Sequence, residues 1–163
     1  MSAVYTLRFY LDWMVYFVKA NSRHGTHSPF VYRLVDEVIY PKRKVGEPGN
    51  RVKRLIARLI DRFQPAVVYH TVDEGQLPAS PVDFVVVNCN DGRGAETRIE
   101  ALWPLLHQNS VLVLVGHYRN KRAKRQWKAI EGRAEATVTI DLFRMGLVFF
   151  RAGQAKENFK IRY

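Results

Sequence analysis

The chain has 163 residues, 47% of them hydrophobic, enough for one domain with a sizeable core and too many for a disordered or low-complexity chain. Its 26 Lys and Arg against 15 Asp and Glu give a formal net charge of +11, which favours an anionic partner: nucleic acid, an acidic protein or a membrane surface. The one cysteine, Cys89, excludes an intramolecular disulfide framework and fits a reducing, cytoplasmic compartment.

Val4 to Lys19 has helical periodicity. Val4, Leu7, Leu11, Met14, Val15 and Val18 share one face, and Tyr5, Phe9, Trp13 and Tyr16 make other faces aromatic. So apolar a helix needs neighbours: it packs against the domain, or it offers a surface to a second copy or another protein; an in-plane membrane helix is the weaker option. Arg8, Asp12 and Lys19 interrupt the stretch, and no basic leader or cleavage site precedes it, so neither a signal peptide nor a membrane span is expected. In NSRHGTHSPF, Gly25 breaks the periodicity, and Ser28-Pro29 supplies a cap followed by proline at the first helical position of a second helix reaching about Tyr40. His24 and His27 have metal-ligand spacing but no Cys or acidic cluster to complete a site, so turn and capping roles are expected.

Pro41 to Asn50 reads as a basic loop, a solvated linker or an anion contact, and Arg51 to Phe63 as an amphipathic helix ended by Pro65, with Val52, Leu55, Ile56, Leu59, Ile60 and Phe63 on one face and Arg51, Lys53, Arg54, Arg58 and Arg62 mostly on the others, a solvated side or else a phosphate-contacting surface. Ala66 to Thr71 is a predicted strand, and Val72 to Pro81 is too broken by Gly75, Pro78 and Pro81 to be a helix. The centre of the chain is Val82 to Tyr118, where VDFVVVN and SVLVLVGHY flank a stretch of helical length: one βαβ unit with strands buried on both faces. Ligands bind beyond the carboxyl ends of such strands, which makes Asn88, Asn90, Asp91, Gly116 and His117 the crevice candidates. Asn120 to Arg133 forms a basic helix whose Lys121, Arg122, Lys124 and Arg125, with Arg119 before it, are candidate anion or nucleic-acid contacts. Ala136 to Phe143 and Leu147 to Arg151 read as an antiparallel hairpin closing the sheet edge through Arg144-Met145-Gly146, and AKENFKIRY as a basic tail ending in a short strand.

HGTHSPFVYRL, RLIDRFQPAVV, VDFVVVN, QWKAI and TVTIDLFRMGLVFFR with AKENFKIRY together resemble a Bacteroidetes group of class I S-adenosylmethionine-dependent methyltransferase-like proteins. The resemblance covers both ends of the chain well and the middle poorly. It implies an α/β, reduced Rossmann-like sheet of methyltransferase type over residues 49–163, with a C-terminal antiparallel hairpin and an N-terminal helical extension over 1–48. It also implies S-adenosylmethionine as cofactor, yet the glycine-rich loop after the first strand and the acidic residue for the ribose are absent. Only Val72, Asp73, Glu74 and Gly75 follow AVVYHT before the next strand, so the βαβαβ half that forms the cofactor cradle has no room, and about seventy residues are missing relative to the group. Ala66 to Thr71 stands either for the group's first strand or for a fusion with a later one. Where relatives carry acids at the ends of the fourth and fifth strands, Asn88 and Val115-Gly116 stand here. Cys89 with His117 or His70, and His117 with Asp91, are weaker catalytic pairings without supporting spacing.

The expectation is therefore a methyltransferase-like fold without cofactor, catalytic residues or metal, acting as a binding or scaffold module. Its alternatives are an RNA- or polyanion-binding protein and an active methyltransferase whose cofactor site is rebuilt or supplied by a partner. A homo-oligomer through the aromatic N-terminal helix is compatible with the first.

Overall fold

The computed structural model describes residues 7–20, 28–71, 77–90 and 94–163. Five α-helices and six strands form a mixed α/β fold: α1 (Leu7–Lys19), α2 (Pro29–Leu34), α3 (Arg51–Phe63), β1 (Val68–His70), β2 (Phe84–Asn88), α4 (Gly94–Leu102), β3 (Val111–Val115), α5 (Lys121–Gly132), β4 (Val138–Asp141), β5 (Met145–Phe149) and β6 (Glu157–Lys160). The strands make one sheet in the order β1-β2-β3-β5-β4-β6. β1, β2 and β3 are parallel, β5 runs antiparallel to both β3 and β4, and β6 lies parallel to β4 at the edge.

Strand alternation sorts the valine runs onto two faces. Phe84, Val86, Val111 and Val113 point with Met145, Leu147 and Phe149 toward α2 and α3, while Val85, Val87, Leu112, Leu114 and Val148 point toward α4 and α5. Both faces of the central strands are thus covered, which is why the runs read as continuously apolar rather than alternating. The segment of 1–48 that includes α2 is part of this core: Val31, Leu34, Val35, Val38 and Ile39 pack with Leu55 and Leu59 of α3 against the sheet.

Helix ends follow local chemistry. Asn50 caps α3 by accepting from the Lys53 N–H at 3.1 Å, and Asn120 caps α5 by accepting from Ala123 N–H at 2.8 Å. Before Pro65, Gln64 turns left-handed at φ 46° and its N–H bonds the Ile60 carbonyl, closing α3. Pro104 stops α4 earlier than its sequence suggests, converting Trp103–Leu105 to a single 3₁₀ turn. Ser28 precedes Pro29 in extended conformation as expected, but its hydroxyl caps nothing and accepts from Gln154 Nε2 at 3.1 Å; α2 itself relaxes into a π-helical turn over Val35–Ile39.

The hairpin differs from expectation in two ways. Its turn is Leu142-Phe143-Arg144, so Met145 and Gly146 are strand residues, and it sits inside the sheet with β6 as the edge. Gly146 is required for packing, not for turning: a Cβ there would run into the Trp127 indole, which lies flat on the strand. Phe143 carries the positive φ of the turn at 64°, held by its N–H to Asp141 Oδ1 at 2.9 Å and by stacking on Tyr118 at 4.6 Å between ring centroids.

The first helix reverses the simpler expectation. Tyr16 is the one buried residue within α1, and the aliphatic stripe Leu7, Leu11, Met14, Val15 and Val18 faces solvent, with Val18 80% exposed. Contact with the domain is made by the other side, where Phe9 and Tyr16 meet Phe143 and Tyr118. Among the described residues no helix is long and apolar enough to cross a membrane.

Candidate binding crevice at the strand ends

Beyond the carboxyl ends of β2 and β3 lies a crevice of about 660 Å³. Its floor includes His70, Val86, Asn88, Asn90, Val115 and Gly116, and its walls are α3, through Val52, Lys53, Ile56 and Ile60, and the Phe143-Arg144 turn. The sequence-predicted residues do converge here: Asn88, Asn90, Gly116 and Arg119 all line it. Asp91, like Asp73, Glu74, His24 and His27, lies outside the described residues, so their expected roles are not placed.

The two asparagines are occupied with each other. Asn88 Oδ1 accepts from the Asn90 N–H at 3.0 Å and from Asn90 Nδ2 at 2.7 Å, an Asx-type turn that ends β2. The Asn90 amide rests against Gly116, whose φ of +80° and missing side chain permit the contact, since a Cβ would stand 2.7 Å from Asn90 Oδ1. These residues shape the lip of the crevice. Its described lining carries the cations Lys53, Arg119 and Arg144 and no Asp or Glu. Ribose hydroxyls of a nucleoside cofactor need carboxylate acceptors, and the described lining offers none. No group of three His, Cys, Asp or Glu suited to a metal occurs among the described residues.

His117 lies next to the crevice but faces away from it, completely buried. Its Nε2 is 3.0 Å from Asp141 Oδ1, and Asp141, also buried, accepts the Tyr118 hydroxyl at 2.8 Å and lies 3.2 Å from Lys160 Nζ. Burial alone would raise the Asp141 pKa. The hydrogen bond and charge of His117, the charge of Lys160 and the Phe143 N–H outweigh it and hold the carboxyl at about 2. Burial, followed by the neighbouring Asp141 charge, pushes the Tyr118 and Tyr16 phenols well above the usual tyrosine range, so both stay protonated donors. The Tyr16 hydroxyl reaches the carbonyls of Asp141, at 2.9 Å, and Ile161. Asp141 therefore ties together α1, the residues after β3, the hairpin turn and β6. It is an internal brace with no access to a substrate.

Asp141 is the residue that sequence reasoning missed. The signal was present as one acid in the otherwise apolar strand TVTIDLF, since a carboxylate in a buried strand requires partners. Among the described residues the partner of His117 is Asp141. Cys89 is buried among Ala95, Ile99 and Leu102, on the opposite side of the sheet from the crevice, which leaves it a packing role.

The basic helix α5 is partly neutralised. Arg122 pairs with Glu96 at 2.6 Å, and Lys124 pairs with Asp12 of α1 at 2.5 Å, whereas Lys121 and Arg125 remain exposed. Trp127, on the opposite side of the helix, is core. No protein-family model, curated protein or solved structure matches this chain.

Proposed function

We propose that the chain is a reduced class I methyltransferase-like protein that has given up cofactor chemistry and works as a binding or scaffold module. The observation that carries this reading is the described lining of the crevice: three cations, an apolar helix face and two asparagines bonded to each other where a cofactor-binding enzyme needs carboxylates. The sheet supports it. Against the doubly wound order 3-2-1-4-5-6, the parallel strands β1-β2-β3 correspond to 1-4-5, and β1 is an edge. The reversal of strand order that creates a dinucleotide crevice is then missing, because it needs strands on both sides of the first one. An antiparallel hairpin beside the last parallel strand agrees with the resemblance read from TVTIDLFRMGLVFFR. Calorimetric titration with S-adenosylmethionine and S-adenosylhomocysteine is expected to give no heat of binding at about 100 μM ligand. Saturable micromolar binding of either sinks the proposal.

A further inference from the structure

A second cleft, of about 840 Å³, opens between α1 and the start of α3. It is built from segments distant in sequence: α1, the loop after the π-helical turn, the first turn of α3, the hairpin turn and the last two residues of the chain. Lys42, Arg43, Arg51, Arg54, Arg144 and Arg162 line it, and no Asp or Glu does among the described residues. The cations whose contacts are defined are held by neutral groups. Arg43 donates to the Glu47 carbonyl at 3.1 Å, and Arg54 to those of Pro48 and Gly49 at 2.9 and 3.2 Å. Arg51 stacks on the Tyr163 ring at 4.5 Å, and Arg162 on Phe17 at 4.6 Å. Arg58, deeper in the same wall, is the contrast, because Glu47 takes it in a two-pronged ion pair at 2.6 and 2.7 Å. Carbonyl and ring contacts fix a guanidinium in place without cancelling its charge, so the wall is organised in advance for an anion.

The facing wall is aromatic. Tyr10, Trp13 and Phe17 line the cleft from α1, each about half exposed, and Trp13 and Phe17 lie 5.4 Å apart at 30° between ring planes, which leaves a broad ring surface in solvent. The aliphatic stripe of α1, by contrast, does not line this cleft. We propose that the cleft is a binding site for single-stranded nucleic acid, with phosphates on Arg43, Arg51, Arg54 and Arg162 and an unstacked base on Trp13, whose neighbour Phe17 seats Arg162. A row of guanidiniums bonded to carbonyls and rings rather than to carboxylates, facing an open indole, is an arrangement that single strands recognise: backbone charge supplies salt-sensitive affinity, and stacking accepts any base. Duplex, whose bases are already stacked, gains only the first term. The site is independent of whether the strand-end crevice has lost its cofactor.

The test is fluorescence anisotropy of a labelled 12-mer oligo(U), with 12-base-pair RNA duplex and phosphatidylglycerol vesicles as comparison ligands, on the full chain. Micromolar binding of the single strand is expected, falling with salt at a log–log slope of about −3 for four phosphates. Arg51→Ala with Arg54→Ala should flatten that slope by about 1.4. Trp13→Leu should weaken binding at least about fivefold with the slope unchanged. Lys121→Ala with Arg125→Ala, on the exposed side of α5, should change nothing. Should Trp13→Leu fail to fold, quenching of the tryptophan fluorescence of a Trp103→Phe variant reads the same contact, since Trp127 is fully buried and Trp13 is half exposed. The site is refuted by equal affinity for duplex, by loss of binding in the α5 variant, by absent quenching, or by vesicles binding where oligonucleotide does not.

Discussion

Replacing Asp141 by Asn tests whether the brace under α1 is structural. The carboxylate accepts from four donors: His117 Nε2, the Phe143 N–H, the Tyr118 hydroxyl and Lys160 Nζ, at 2.8 to 3.2 Å. An amide keeps one accepting oxygen and turns an NH₂ toward donors, breaking the fully buried His117–Asp141 pair and leaving the partly exposed Lys160 ammonium without its counter-ion. Removing one member of a buried pair costs about 3–5 kcal/mol, a large part of the 5–15 kcal/mol of a typical domain. In urea this is a fall in midpoint of about 2 M at an ordinary slope.

The pH dependence has a defined sign. The folded carboxyl sits at about 2 against a reference of 3.8. Its stabilisation, roughly 2 kcal/mol by linkage, is complete above the reference value and is lost as pH falls through about 2. Urea unfolding of both proteins from pH 7 to pH 2 should therefore show the gap between them narrowing by roughly 2 kcal/mol on the acid side. A gap below 1 kcal/mol at pH 7, or one that stays constant throughout, would refute the account of Asp141 as a charged brace.

Gly146→Ala sets a methyl against the Trp127 indole in a packed core and should cost about 1–3 kcal/mol, read by urea unfolding with the tryptophan signal. Leu11→Lys with Val15→Lys falls on the exposed stripe of α1, so stability should move by no more than about 0.5 kcal/mol per site. If that stripe joins two copies, the parent's mass in sedimentation rises with concentration and the variant's does not. The Cys89 thiol, buried in the α4 layer, should react with a disulfide reagent only at the rate of unfolding; fast modification of native protein would show that this layer opens locally.

Much of the architecture was legible because its signals are local. The valine runs announced two fully covered parallel strands, and the apolar spacing of Arg51 to Phe63 gave a helix with those same ends. The hairpin was legible as a hairpin, but its turn was not. Gly146 looked like a turn residue because nothing local reveals that Trp127 needs its empty side, while Phe143 takes the left-handed position through contacts with Asp141 and Tyr118. The crevice lip was anticipated at Asn88, Asn90 and Gly116, since strand ends are defined by chain order. The cationic residues of α5 drew attention because they are adjacent in sequence. The basic side of α3 and the loop before it were legible as candidate anion contacts, but their meeting with the rings of α1 was not, because aromatic and basic residues that meet only after folding leave no spacing to read.

The tether between α1 and the far end of the chain also sets an order of events. Tyr16 reaches the carbonyls of Asp141 and Ile161 across 125 and 145 positions, whereas β2, α4, β3 and α5 are consecutive and can pack together early. During synthesis at about 5–20 residues per second, α1 emerges on the order of ten seconds before the strand that holds it. Throughout that interval the faces of Phe9, Tyr16 and Trp13 join the aliphatic stripe in water. The nascent chain thus carries a helix apolar on most of its circumference, a ready target for a chaperone or for a neighbouring nascent copy.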